Sequence, residues 1–227
     1  MLILAIDTSL EAVAACVFNS ELSAIVAEES MPMKRGHAEA LMPLLQRLFE
    51  RIEGGAGAFG KIAVAVGPGS FTGIRVGVSA ARGLGVALGI PVVGVSTLAA
   101  FAAPMVMAGA KSKIVVAIDA RYDQVYLQCF RGDGKTILAP KLRNSAAAAL
   151  ELGEGPFRMA GNAGPLMTIE AWALGHKADA VGELRTPLIG YVARLGLSAD
   201  PRFAPPKPLY LKQADAKPNV GAHETVL

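Results

Sequence analysis

Leu2-Ile-Leu-Ala-Ile-Asp-Thr-Ser-Leu-Glu-Ala-Val-Ala-Ala-Cys-Val-Phe18 returns without a gap 112 residues later (Asp7 to Asp119), as Ile114-Val-Val-Ala-Ile-Asp-Ala-Arg-Tyr-Asp-Gln-Val-Tyr-Leu-Gln-Cys-Phe130. The pairs Ala5/Ala117, Ile6/Ile118, Asp7/Asp119, Val13/Val125 and Phe18/Phe130 are identical, and Glu11 is matched by the acid Asp123. Each copy has two apolar runs around a short polar turn, the pattern of a β-hairpin. Solenoid repeats recur every 20 to 50 residues or so, whereas one recurrence at so long a period points to two similar halves. The expected fold is a duplicated α/β domain. The chain's 227 residues suit one large or two small domains.

Between the two copies lies Lys61-Ile-Ala-Val-Ala-Val66, a short run with the composition of a strand buried on both faces. Gly67-Pro-Gly69-Ser70 ends it, and Ser70 or Thr72 can cap a helix that runs to about Leu88. Free N–H groups at such a helix start attract anions. However, Gly67, Gly69 and Gly73 read G-x-G-x-x-x-G with no lysine, which is neither a Walker A loop nor a dinucleotide fingerprint. Phosphate binding and a plain tight turn both remain open at this level. Within the helix Gly73, Gly77, Ala81, Gly85 and Gly89 recur every fourth residue and share one face. Interior glycines cost about 1 kcal/mol each relative to alanine, so packing must compensate. The stripe admits a close neighbour from the same chain or from a second subunit.

The chain is 52% hydrophobic and only 18% charged, against about 25% charged in ordinary soluble domains, which suggests apolar surface covered by another protein. Gly83 to Ala110 carries no charge, but Pro91, Pro104 and the glycines divide it into a helix end, a strand over Val92 to Val95 and a new helix from Ser96 or Thr97. A membrane span is therefore not expected. Neither is a signal peptide, since the N-terminus lacks a basic flank and Asp7 interrupts it early. Cytoplasm is the default. Residues 1 to 60 hold four bases and eight acids, the remainder eighteen and eleven, which permits weak RNA attraction by the second half. No aromatic and basic cluster stands out. Cys16 and Cys129 suit buried thiols, Trp172 a core position, Pro32 to Ile52 a loop and an amphipathic helix, and Arg202 to Pro218 an extended tail.

Four segments together resemble one family, the TsaB (YeaZ) proteins: Ile3-Leu-Ala-Ile-Asp-Thr-Ser9, His37-Ala-Glu-Ala-Leu-Met-Pro43, Val66-Gly-Pro-Gly-Ser-Phe-Thr-Gly-Ile-Arg75 and Ile118-Asp-Ala-Arg121, with the tail Pro208 to Lys217 in support. The resemblance implies the actin, sugar-kinase and Hsp70 type of fold, with two ribonuclease-H-like lobes facing a cleft. Lobes over 1–110 and 111–200 and an extended tail over 201–227 are then expected. It also implies a non-catalytic partner in making threonylcarbamoyladenosine on transfer RNA. Asp7, Thr8, Ser9, Gly67, Gly69, Ser70, Thr72 and Asp119 become vestigial phosphate-loop positions.

In the similar catalytic paralogue a metal is held by histidines where this chain has Thr97 and Phe101, and phenylalanine ligates no metal. No metal, cofactor or catalytic residue is expected. The partner interface is assigned to His37, Leu41, Leu44, Leu45, Leu48, Gly73, Gly77, Ala81 and Gly85. The implied partners are a TsaD-like catalytic paralogue, a small TsaE-like ATPase and, when the paralogue is absent, a second copy, with RNA contact indirect or weak and no membrane contact. The alternatives are an ATP-binding kinase-like enzyme and a glycoprotease-like metallopeptidase.

Overall fold

The computed structural model describes residues 1–182 and 184–212. The two repeated segments form hairpins whose registers differ by one residue: Leu2–Asp7 (β1) pairs with Ala12–Asn19 (β2), Asp7 opposite Ala14, and Lys113–Asp119 (β6) with Gln124–Phe130 (β7), Asp119 opposite Val125. Each continues antiparallel into a nine-residue edge strand, Ala24–Pro32 (β3) or Thr136–Asn144 (β8). Two parallel strands complete each sheet, Phe59–Ala65 (β4) and Val92–Val95 (β5) in the first, Phe157–Ala160 (β9) and Ala178–Ala180 (β10) in the second. The orders β3-β2-β1-β4-β5 and β8-β7-β6-β9-β10 are the same topology. This is the expected pair of ribonuclease-H-like lobes.

Both sheets are covered on both faces, which explains the nearly unbroken apolar runs. In the first lobe Leu4, Ile6, Val13, Ala15 and Val17 face helices His37–Phe49 (α1) and Phe71–Leu88 (α2). The alternate residues Ile3, Ala5, Ala14, Cys16 and Phe18 face the opposite way, as a period of two requires. That second face is covered by Ile189–Ser198 (α6), through Ile189, Val192 and Ala193. Thr97–Met107 (α3) does the reverse, laying Phe101, Ala102 and Met105 on Ile114, Val116 and Ile118 of the second sheet. The two lobes thus exchange their last helices. Ser145–Glu151 (α4) and Gly164–Ala173 (α5) cover the remaining face.

The exchange corrects the expected boundaries, because α6 falls within 111–200 yet packs on the first lobe. Gly196 makes this close, since a Cβ there would collide with Ala63. The Lys61 ammonium donates to the carbonyls of Gly196, Leu197 and Ala199 at 3.0–3.2 Å, placing a cation on the negative end of the helix.

As far as Lys212 the extended tail is held against the fold: Gly94 N donates to Ala204 O at 2.9 Å, Leu209 N donates to Val66 O at 2.8 Å, and Leu211 packs on the second lobe. Residues 213–227 lie outside the described residues. Trp172, expected in the core, is 59% exposed, with its indole N–H donating to Ala178 O at 2.9 Å. Cys16 and Cys129 are free and buried, and burial pushes their thiols up to about 12 and about 11. The uncharged stretch divides into the end of α2, β5 and α3 as expected at Pro91, whereas Pro104 lies inside α3 and divides nothing, and among the described residues no helix is long and apolar enough to cross a membrane.

Candidate functional site

The β1–β2 turn is pressed against the start of α2. Asp7 Oδ1 accepts from Ser9 N at 2.7 Å, Thr8 Oγ1 donates to Gly73 O at 2.6 Å, and Ser70 N donates to Ser9 O at 2.7 Å. Ser70 caps the helix by accepting from Gly73 N at 3.3 Å. A Cβ on Gly69 would collide with Ser9 O, one on Gly73 with Thr8 O, and one on Gly77 with Thr8 Oγ1. The glycine loop therefore admits the chain's own turn. Two backbone N–H groups at the helix start, those of Ser70 and Gly73, meet Ser9 O and Ser70 Oγ. Gly67 takes φ +96°, a conformation that favours glycine, and its carbonyl accepts from Thr97 N at 2.9 Å.

Asp119 repeats the local geometry, with Oδ1 accepting from Arg121 N at 2.8 Å, while its own N–H donates to Asn162 Oδ1 at 2.9 Å. The two aspartates differ in burial: Asp119 is exposed and Asp7 is 3% exposed. Burial raises the Asp7 carboxyl above its ordinary 3.8, against the opposing pull of the Ser9 hydrogen bonds and of His37. A carboxyl raised by folding favours the fold when protonated, and that contribution fades as pH rises from 3.8 through the folded value. Asp7→Asn keeps an acceptor for Ser9 N. It should melt above the parent at pH 7 to 8, with the difference shrinking towards pH 4, as thermal unfolding across pH would read.

The expected interface residues are largely internal. His37, Leu41, Leu44, Leu45 and Leu48 are buried against the first sheet, and His37 Nε2 lies 2.8 Å from Leu10 O. A carbonyl only accepts, so His37 donates there and fastens α1 to the β1–β2 turn. Gly73, Gly77, Ala81 and Gly85 are also buried, facing Thr8, Val64 and Val92. The small-residue stripe is thus a seam within the chain, because helix and hairpin backbones meet there. The outward faces of α1 and α2 carry other residues: Ala38, Met42, Pro43 and Gln46 on the first, and Ser79, Arg82, Gly83, Val86 and Ala87 on the second. Val86 is 85% and Met42 51% exposed.

Thr97 and Phe101 both lie in the core, Thr97 Oγ1 donating to Ser9 Oγ at 3.2 Å. Among the described residues no three His, Cys, Asp or Glu side chains converge as a metal site. The lobes face each other across a cavity of about 560 Å³, which Ser70, Thr72, Asp119 and Tyr210 help to line. Sequence reasoning gave Tyr210 no part. Its ring packs 4.8 Å from Phe71, and its hydroxyl accepts from Arg75 Nε at 2.9 Å, so the C-terminal strap is pinned across the loop. In the sequence Tyr210 stood only within the tail Pro208 to Lys217 that supported the resemblance, with no role attached to it.

The family model described as TsaD, tRNA N6-adenosine threonylcarbamoyltransferase, matches residues 25–190. The tRNA threonylcarbamoyladenosine biosynthesis protein TsaB of Escherichia coli is 32% identical over 133 residues, 59% of this chain and 56% of that protein. That of Bacillus subtilis is 37% identical over 103 residues, 45% and 44% of the two. The aligned part spans about half the length of these TsaB relatives. An uncharacterized protein of Mycobacterium tuberculosis is 31% identical over 216 residues, 95% of this chain and 94% of that one. Among solved structures, YeaZ from Pseudomonas aeruginosa superposes with a TM-score of 0.68 at 24% identity, covering 92% of this chain and 99% of that one. A second Pseudomonas aeruginosa structure, described as similar to peptidase YEAZ, gives 0.75 at 24% identity over 93% and 99%. These two share its fold. The chain belongs to the threonylcarbamoyltransferase family, within its TsaB/YeaZ group.

Proposed function

We propose that this chain is a non-catalytic adaptor that binds and stabilises a TsaD-like threonylcarbamoyltransferase, for threonylcarbamoyladenosine formation at position 37 of transfer RNAs reading ANN codons. The observation that carries this reading is the outer face of α1 and α2, where Val86 and Met42 stand exposed among Ala38, Pro43, Gly83 and Ala87. Small side chains around a few large apolar ones let a partner helix approach closely. The names of the TsaB relatives supply the pathway. Thr97 and Phe101, at the two positions where the resemblance implies metal-binding histidines, support assigning the chemistry to the partner. In this reading the complex works in the cytoplasm, a small TsaE-like ATPase joins it, and a second copy takes the helical face when the paralogue is absent.

Reconstitution tests this directly. The purified chain should carry no stoichiometric metal and should not transfer threonylcarbamoyl to an unmodified transcript. Adding it to the paralogue should switch modification on. Transfer by the chain itself, or one iron or zinc per chain lost on changing cleft residues, would defeat the adaptor reading.

A further inference from the structure

The β6–β7 turn is strained. Arg121, Tyr122 and Asp123 are consecutive non-glycine residues at φ 63°, 55° and 57°, a left-handed conformation in which a Cβ crowds the backbone. Its counterpart between β1 and β2 is one residue longer between its last paired residues, Asp7 with Ala14 against Asp119 with Val125, and Thr8 to Glu11 include no positive φ. Such strain persists where other parts of the structure hold it, and it clusters at binding sites. Asp123 is what holds it here, through Asn144 Nδ2, through Ser145 Oγ at 2.8 Å, and through its carbonyl, which accepts from Ser145 N at 3.0 Å. The turn places Arg121 in the lining of the cavity between the lobes and leaves Tyr122 83% exposed.

Three segments bring cations to that cavity: Lys34 and Arg35 from the loop before α1, Arg121 from the strained turn, and Lys212 from the strap. Among the described residues Glu11 and Asp119 are the only acids in the lining, and Glu11 also lies 3.7 Å from Arg185. Most other cations are engaged. Arg47 and Arg51 meet Glu29, Lys141 and Arg143 meet Glu151, and Arg131 and Arg202 meet Asp133 and Asp200. By contrast, Lys34, Arg35 and Arg121 have no side-chain hydrogen bond or ion pair among the described residues. Lys212 Nζ stands 5.5 Å from the centre of the Tyr122 ring. Folding therefore assembles a basic and aromatic cluster from positions that are distant in the sequence.

We infer that this rim binds a single strand of RNA, Lys34, Arg35, Arg121 and Lys212 holding phosphates while a base stacks on Tyr122. The inference rests on the adaptor reading for the identity of the RNA. Convergent cations complement a phosphodiester chain, guanidinium groups bind phosphate through paired N–H bonds, and an exposed ring beside them is a platform for an unstacked base.

The test uses the reconstituted complex of the full chain with its catalytic paralogue, and fluorescence anisotropy of an unmodified tRNA transcript at several salt concentrations. Tyr122→Gly should weaken binding about five- to a hundredfold, the usual worth of one stacked base, while raising the melting temperature because glycine relieves the left-handed turn. Tyr122→Phe should bind like the parent. Arg35→Gln with Arg121→Gln should flatten the slope of log K against log salt by about 1.4, two single-strand phosphate contacts. All variants should still co-elute with the paralogue. Unchanged affinity and slope would overturn the inference, as would loss of the paralogue, which would make the rim a protein contact. Binding of a fluorescent ATP analogue that the paired arginine change abolishes would assign the cations to a nucleotide and overturn it as well. If the parent chain fails to join the paralogue, it is the adaptor reading that falls. The same ranking of variants is then required of the chain by itself.

Discussion

Gly77→Leu should unfold this chain well before it disturbs any partner surface. The new side chain would enter the space held by Thr8 Oγ1 and Val64, and overpacking a filled core costs about 1–3 kcal/mol, sometimes more. Displacing Thr8 also breaks its buried bond to Gly73 O, worth about another 1 kcal/mol. Leaving glycine returns somewhat under 1 kcal/mol of helix propensity. The net loss is about 1–3 kcal/mol, or roughly 2–12 °C of melting temperature at this size. Gly83→Ala is the opposite case on the same helix, because a Cβ there meets nothing within 4 Å. It should gain up to about 1 kcal/mol. Thermal unfolding of the two variants beside the parent decides the matter, and equal melting temperatures would show that the stripe does not pack internally.

The second large effect is expected at the outer face of α1 and α2. Met42→Glu with Val86→Glu should leave the isolated chain within about 0.5 kcal/mol per site of its parent stability, since both side chains face solvent. In the complex the same carboxylates would be desolvated, and loss of apolar anchors of this kind typically costs about 2 kcal/mol or more, at least about thirtyfold in affinity. Co-elution with the paralogue is the readout, and normal binding by a folded double variant would move the interface elsewhere.

The sequence revealed the sheet plan because the repeated hairpins are buried on both faces, leaving few substitutions that preserve packing. Beyond Phe18 and Phe130 the likeness fades while the offset persists, as β3 and β8 show; edge strands with exposed residues are free to vary. The glycine period on α2 was equally legible, but its neighbour was not. What meets Gly69 and Gly73 is the backbone of Ser9 and Thr8, and a backbone surface leaves no mark in residue type. The leucines of α1 read correctly as one helical face, yet an apolar face does not say whether a sheet or another subunit covers it. The basic rim stayed hidden for a different reason, since Arg35, Arg121 and Lys212 meet only through tertiary structure.

The helix exchange also fixes the order in which the molecule can be completed. Ile3, Ala5, Cys16, Phe18 and Val93 belong to the part made first, but their cover begins only at Ile189. During synthesis the first sheet therefore emerges with one apolar face bare, and it stays bare until Ile189–Ser198 has left the ribosome. The amino-terminal lobe cannot mature as a separate unit ahead of the rest, as many domains do. Native closure joins segments far apart in the sequence in a late step with long loops to bring together, and until then that face is exposed to chaperones and to other nascent chains.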